Sequence, residues 1–162
     1  MSSKSTKELE NKTPSSGTGK EEGLKIIVTS FGYKQGPPPL ANVVFDVRFL
    51  KNPYWVEELR PLTGLDNSVQ QYVLEQELAQ DFLESMKVLL SKILPKMAEL
   101  KVEKFVIAFG CTGGQHRSAT LVEKLAEELA KTYPTYNIQK QHRELDKSSE
   151  PEDHADTADG AE

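Results

Sequence analysis

An apolar run, Phe105-Val106-Ile107-Ala108-Phe109, passes without a polar break into the glycine-rich stretch Gly110-Cys111-Thr112-Gly113-Gly114-Gln115-His116-Arg117, and Ser118 then opens a segment of helical period. A short continuous apolar run is the mark of a strand covered on both sides. Such a strand needs neighbours in a sheet and a layer of helices, which narrows the fold to an α/β architecture.

The remaining pattern agrees. Residues 24–30 and 43–47 are β-branched runs that end in breaker-rich loops, the first in Gly32, Gly36, Pro37, Pro38 and Pro39, the second in Asn52-Pro53, Arg60-Pro61 and Thr63-Gly64. Residues 67–94 carry Leu78, Phe82, Met86, Leu89, Leu90 and Ile93 three or four apart, predicting one long helix with Pro95 near its end. Residues 118–131 predict a second helix, with Leu121, Val122, Leu125, Ala126 and Leu129 facing inward, and 136–141 a last short strand. Strands alternating with helices imply a mainly parallel sheet, whose ligands collect at the carboxyl ends of the strands.

At 162 residues the chain suits one domain with tails. Residues 1–23, rich in Ser, Thr, Lys, Glu and Gly, and residues 147–162, rich in Ser, Asp, Glu and Ala, are too polar to offset the entropy of ordering and are expected to be disordered. The folded part is then 24–146. Setting aside the six acids Glu150, Glu152, Asp153, Asp156, Asp159 and Glu162 turns the formal charge of −5 into about +1 for 24–148, so the acidic balance belongs to the tail. Cys111 is the single cysteine, which excludes an intrachain disulfide and argues against a structural metal site. No apolar run is long enough for a membrane span and no secretion signal is recognisable, so a cytoplasmic protein is expected.

The strand-to-helix junction is where backbone N–H groups and the helix dipole converge, and an anion binds there readily. Glycines let the backbone approach a ligand; Thr112 adds a hydroxyl, while Arg117 and His116 add charge-assisted donors. With its charge at a helix end, Arg117 is expected to serve binding and to matter little for stability. The alternative is a tight turn that merely packs helix on sheet. The segment lacks the Lys-[Ser/Thr] of a nucleotide P-loop and the Gly-x-Gly-x-x-Gly spacing of dinucleotide folds, so neither cofactor is expected. Cys111 and Arg117 do satisfy a Cys-x5-Arg phosphatase spacing, with a buried structural cysteine as the competing reading. Asp46 and Arg48, two apart at a strand end, can face the ligand zone or pair with each other. Lys34 and Arg60 are further cations near it, and His142 with Arg143 either extends a basic patch that contacts RNA or ends a strand in solvent.

Taken together, Ser30-Phe31-Gly32-Tyr33-Lys34, Phe45-Asp46-Val47-Arg48-Phe49-Leu50, Asn52-Pro53, Leu59-Arg60-Pro61-Leu62-Thr63-Gly64-Leu65-Asp66 and the glycine loop 110–118 resemble the C-terminal domain of the RapZ (YvcJ) family of RNase adaptor proteins over roughly residues 25–145. The resemblance implies a fold akin to a phosphofructokinase subdomain and a non-catalytic regulatory module that senses an amino sugar phosphate, glucosamine-6-phosphate. It implies a pocket of Lys34, Asp46, Arg48, Thr112, Gly113, Gly114, His116 and Arg117, with Arg60 in support. In some members it also implies binding of a small regulatory RNA and an endoribonuclease. Three departures stand out. Tyr54 follows Asn52-Pro53 where some members have histidine, residues 1–23 stand where the family's nucleotide-binding domain would be, and the C-terminal end is acidic where the family's is basic. Because phosphates dominate RNA affinity, the acids disfavour RNA more than they disfavour a sugar phosphate.

Overall fold

The structure, a computed structural model, describes residues 23–146. The expected disorder of the two tails therefore concerns residues that, Gly23 apart, lie outside those described. The elements are β1 (Lys25–Gly32), β2 (Val43–Asp46), α1 (Asn67–Leu74), α2 (Glu77–Glu99), β3 (Lys104–Cys111), α3 (Arg117–Thr132), β4 (Asn137–His142) and α4 (Arg143–Asp146), with 3-10 turns at Tyr33–Gln35 and Pro53–Trp55.

The strands form one four-stranded parallel sheet in the order β2-β3-β1-β4. The two central strands are buried almost throughout, whereas β2 and β4 alternate or expose most of their length. This explains why the central strands read as unbroken apolar runs and the edges do not. The steps from β2 to β3 and from β3 to β4 run in the same direction across the sheet, and right-handed crossovers put both connecting helices on one face. Side chains agree: Phe82 of α2 meets the rings of Phe45 and Phe109, and Glu123 of α3 reaches His142, which lies in register with Ser30. Ile26, Val28, Ile107 and Phe109 join Leu90, Leu94, Leu121, Leu125 and Leu129 in the core beneath them. Burying each of these leucines is worth about 1.5–3 kcal/mol.

Helix 67–94 is in fact two helices. The break falls at Glu75 and Gln76, where Gln76 turns extended (φ −68°, ψ 123°). Its side-chain amide explains the break: Oε1 accepts from the backbone N–H of Lys51 at 2.8 Å, and Nε2 points to the carbonyls of Lys51 and Tyr72. Gln76 thus ties the helical layer to the loop after β2. Helix α2 runs on through Pro95 to Glu99. Strands β1 and β3 both run two residues past their expected ends, because Phe31 pairs with Gly110 and Gly32 with Cys111. Gly110 and Cys111 are therefore strand residues, and the turn proper is Thr112 to His116.

Candidate functional site

All four strands point the same way, so Gly32, Asp46 and Cys111 end at one edge of the sheet, where α3 begins. A cavity of about 790 Å³ opens there. Lys34 and Gln35 line it from the turn after β1; Arg48, Leu50, Asn52, Tyr54 and Trp55 line it from the loop after β2. Cys111, Thr112, Gly113, Gln115, His116 and Arg117 complete it. Backbone bonds lock these segments together: Lys34 N–H donates to Thr112 O at 3.1 Å, Val47 N–H to Gly110 O at 2.8 Å and Gly64 N–H to Gln115 O at 2.7 Å.

The two loop glycines serve different ends. Gly114 has φ +74°, and a Cβ there would lie 2.6 Å from Gly32 N. A Cβ on Gly32 would in turn sit 2.5 Å from Gly113 C, so the turn and β1 touch backbone to backbone. Around Gly113 itself an added Cβ meets nothing within 4 Å. Its bare backbone faces the cavity.

Arg117 is only 5% exposed. One terminal nitrogen donates to the carbonyls of Arg48 and Leu50 at 3.0 and 3.1 Å, and the other approaches Thr112 Oγ1 at 3.4 Å. Burial pushes its pKa below that of a free arginine, and Cys111 and then Asp46 oppose the shift. Its Nε is buried without a partner, as is Nε2 of His116, itself 7% exposed. Buried polar atoms are seldom left unpaired, and here two nitrogens at the uncapped start of a 16-residue helix have no partner.

The other expected residues lie close by. Asp46 is gripped by Arg48 through Nε (2.9 and 3.0 Å) and Nη2 (2.7 Å), and Arg48 also stacks 4.3 Å over the Tyr33 ring. These hydrogen bonds from Arg48 hold the Asp46 pKa below the usual aspartate value. Arg60 lies behind the cavity, donating Nε to Tyr54 O at 2.8 Å with its guanidinium 5.1 Å from the Tyr54 ring.

His142 and Arg143 face inward. The His142 ring bridges Ser30 Oγ and Glu123 Oε1, each at 2.7 Å. Arg143 donates to Pro37 O (2.6 Å), Gly32 O (3.2 Å) and the Glu144 carboxylate, which accepts from Gly32 N–H at 3.2 Å. Cys111 is buried, with Sγ 3.0 Å from Ser118 Oγ. A second cleft of about 320 Å³ runs past Glu123, Lys124 and Lys140, but Lys140 already pairs with Glu123 at 2.6 Å and Lys124 with Glu128 at 3.5 Å. Tyr54, Trp55, Asn52 and Gln115 were not among the expected pocket residues. Two signals were available: Tyr54, at the position after Asn52-Pro53 where some family members have histidine, and Trp55, the chain's sole tryptophan, directly after it.

The family model described as RapZ C-terminal domain matches residues 24–146. The chain belongs to the RapZ C-terminal domain family. Among its curated relatives, the nucleotide-binding protein YvcJ of Bacillus subtilis is 47% identical over 132 residues, covering 82% of this chain and 44% of YvcJ. A nucleotide-binding protein of Bacillus licheniformis is 49% identical over 124 residues, 76% of this chain and 41% of that protein. The RapZ-type domain described here thus spans about two fifths of the length of these relatives. Among the described residues, no helix is long and apolar enough to cross a membrane, and no group of three or more His, Cys, Asp or Glu could hold a metal ion.

Proposed function

We propose that this RapZ-type domain is a regulatory module that binds a phosphorylated metabolite without turning it over, an amino sugar phosphate such as glucosamine-6-phosphate being the ligand that the family suggests. One observation carries the reading. His116 Nε2 and Arg117 Nε are buried nitrogens without partners at the first turn of α3, beside the open backbone of Gly113. A phosphate supplies an acceptor for the Arg117 N–H, and for His116 Nε2 when that nitrogen carries the ring proton, and the helix dipole favours its charge. Lys34 lines the same cavity and no carboxylate does, while Arg48 lines it with its charge already shared with Asp46.

The absence of turnover is inferred from Cys111. Cys111 lines the cavity but is only 2% exposed, whereas attack on phosphorus needs an accessible thiolate. Calorimetric titration of the whole chain with glucosamine-6-phosphate, glucose-6-phosphate and inorganic phosphate, with phosphate release followed in parallel, tests both halves. Saturable binding with no release is expected. Release that disappears in Cys111→Ser while affinity is retained would make the domain a phosphatase.

A further inference from the structure

The anion site occupies only part of the cavity. Pockets of about 300–1,000 Å³ hold whole small molecules, and this one, at about 790 Å³, falls within that range. The donors described above account for a phosphate and leave the Asn52–Trp55 part of the lining without an occupant.

That part is built with care. The Trp55 side chain is 76% exposed and Tyr54 is 46% exposed, although both line the cavity. Neither is loosely attached. Buried Pro53 opens the turn, Asn52 Oδ1 accepts from Tyr54 N–H at 3.1 Å, Trp55 N–H donates to Asn52 O at 3.2 Å, and Arg60 clamps Tyr54 O. A rigid turn that holds an indole largely in water, at the mouth of a cationic cavity, is a contact surface kept ready for a ligand.

We propose that Tyr54 and Trp55 form a second subsite, an aromatic corner that takes the carbon–hydrogen face of a pyranose ring whose phosphate lies at the start of α3. The inference rests on the phosphate reading and extends it to the rest of the ligand. The two rings meet edge to face, 5.4 Å apart at 83°. A planar base is best held in a parallel slot, whereas a right-angled corner fits a puckered ring with C–H groups on its face and edge. Side-chain amides of Gln35, Asn52 and Gln115 line the same cavity and suit the ring hydroxyls.

Trp55 is the only tryptophan of the chain, so its fluorescence reports the subsite directly. The full chain is titrated with glucosamine-6-phosphate, glucose-6-phosphate, AMP and inorganic phosphate, and the affinities are repeated calorimetrically for Trp55→Ala, a change at an exposed side chain that leaves the core untouched. Both hexose phosphates should shift the emission and bind more tightly than inorganic phosphate. In Trp55→Ala their affinity should fall about three- to tenfold, the usual worth of an aromatic contact, while that of inorganic phosphate stays put. Unchanged hexose-phosphate affinity in the variant would remove the subsite and leave the phosphate site standing. AMP binding more tightly than either hexose phosphate, and depending on Trp55, would replace the pyranose with a base. Failure of inorganic phosphate itself to bind would sink the phosphate site and the subsite with it.

Discussion

The glycine turn has a back and a front, and the two are built on opposite terms. On the back, Gly114 and Gly32 interlock, Glu144 accepts from Gly32 N–H, and Arg143 closes on Gly32 O and Pro37 O. Each of these groups has its partner within the protein. On the front, Gly113 presents bare backbone to a cavity, and His116 Nε2 and Arg117 Nε have no partner. Buried polar groups are normally satisfied, so a region that satisfies them reads as structure and one that leaves them vacant reads as a place for something else. Residues adjacent in sequence thus differ in whether the protein itself satisfies them.

Substitutions at the adjacent glycines should break the comparison most visibly. Gly114→Ala forces a left-handed alanine into Gly32 and should cost about 2–4 kcal/mol in urea unfolding. Gly113→Ala meets no protein atom, so its stability should stay within about 0.5 kcal/mol of the parent, whereas the added methyl intrudes on the ligand and should abolish tight phosphate binding. Equal stability losses at both positions would erase the distinction between front and back.

Arg117 belongs to both sides. Removing it in Arg117→Ala leaves the Arg48 and Leu50 carbonyls short of a donor and should lower stability by about 1–3 kcal/mol, besides weakening phosphate binding about tenfold or more. The burial of Arg117 and its bonds to these carbonyls run against the expectation that it matters little for stability. Unchanged urea midpoints in the variant would restore that expectation.

A smaller effect concerns the back alone. Glu144→Gln keeps the shape but weakens the bonds to Gly32 N–H and Arg143, and should cost about 1–2 kcal/mol. Inorganic phosphate affinity should hold within about threefold, since Glu144 does not line the cavity. A larger loss of affinity than of stability would mean that the back of the turn also shapes the front.

The smallest effect is the acid titration of Asp46. Its pKa is depressed by Arg48, so the stabilisation from this pair is complete above the ordinary aspartate range and is lost only as pH falls below it, through the lower folded value. Both partners are nearly half exposed, so the melting temperature should barely register the loss. Carbon NMR of the Asp46 carboxyl should show a midpoint below that of free aspartate. A midpoint at or above it would mean that Arg48 is released from Asp46 in solution.

Much of this arrangement could be read from local sequence, because the features that define it are local. The apolar runs at 105–109 and 24–30, the period of 118–131 and the glycines between them place β1, β3, α3 and the glycine turn. What escaped depends on partners far away in the chain. The apolar period is similar on both sides of Gln76, so only its bond to Lys51 reveals the break between α1 and α2. The internal roles of His142 and Glu144 come from Ser30 and Gly32, each 112 residues distant. The burial of Arg117 requires the carbonyls of Arg48 and Leu50 to fold over it, and Tyr54 and Trp55 join the cavity only because the loop after β2 returns to the edge of the sheet.

The central claim is that the unpartnered nitrogens at the front of the turn are completed by an anion, and nitrogen-15 NMR of the Arg117 Nε–H and the His116 ring during titration with inorganic phosphate addresses it directly. Both signals should shift saturably with a common dissociation constant, and the Nε–H should move downfield and exchange more slowly as it gains an acceptor. Signals that stay fixed while phosphate binds elsewhere, or that drift without saturating, would contradict the account.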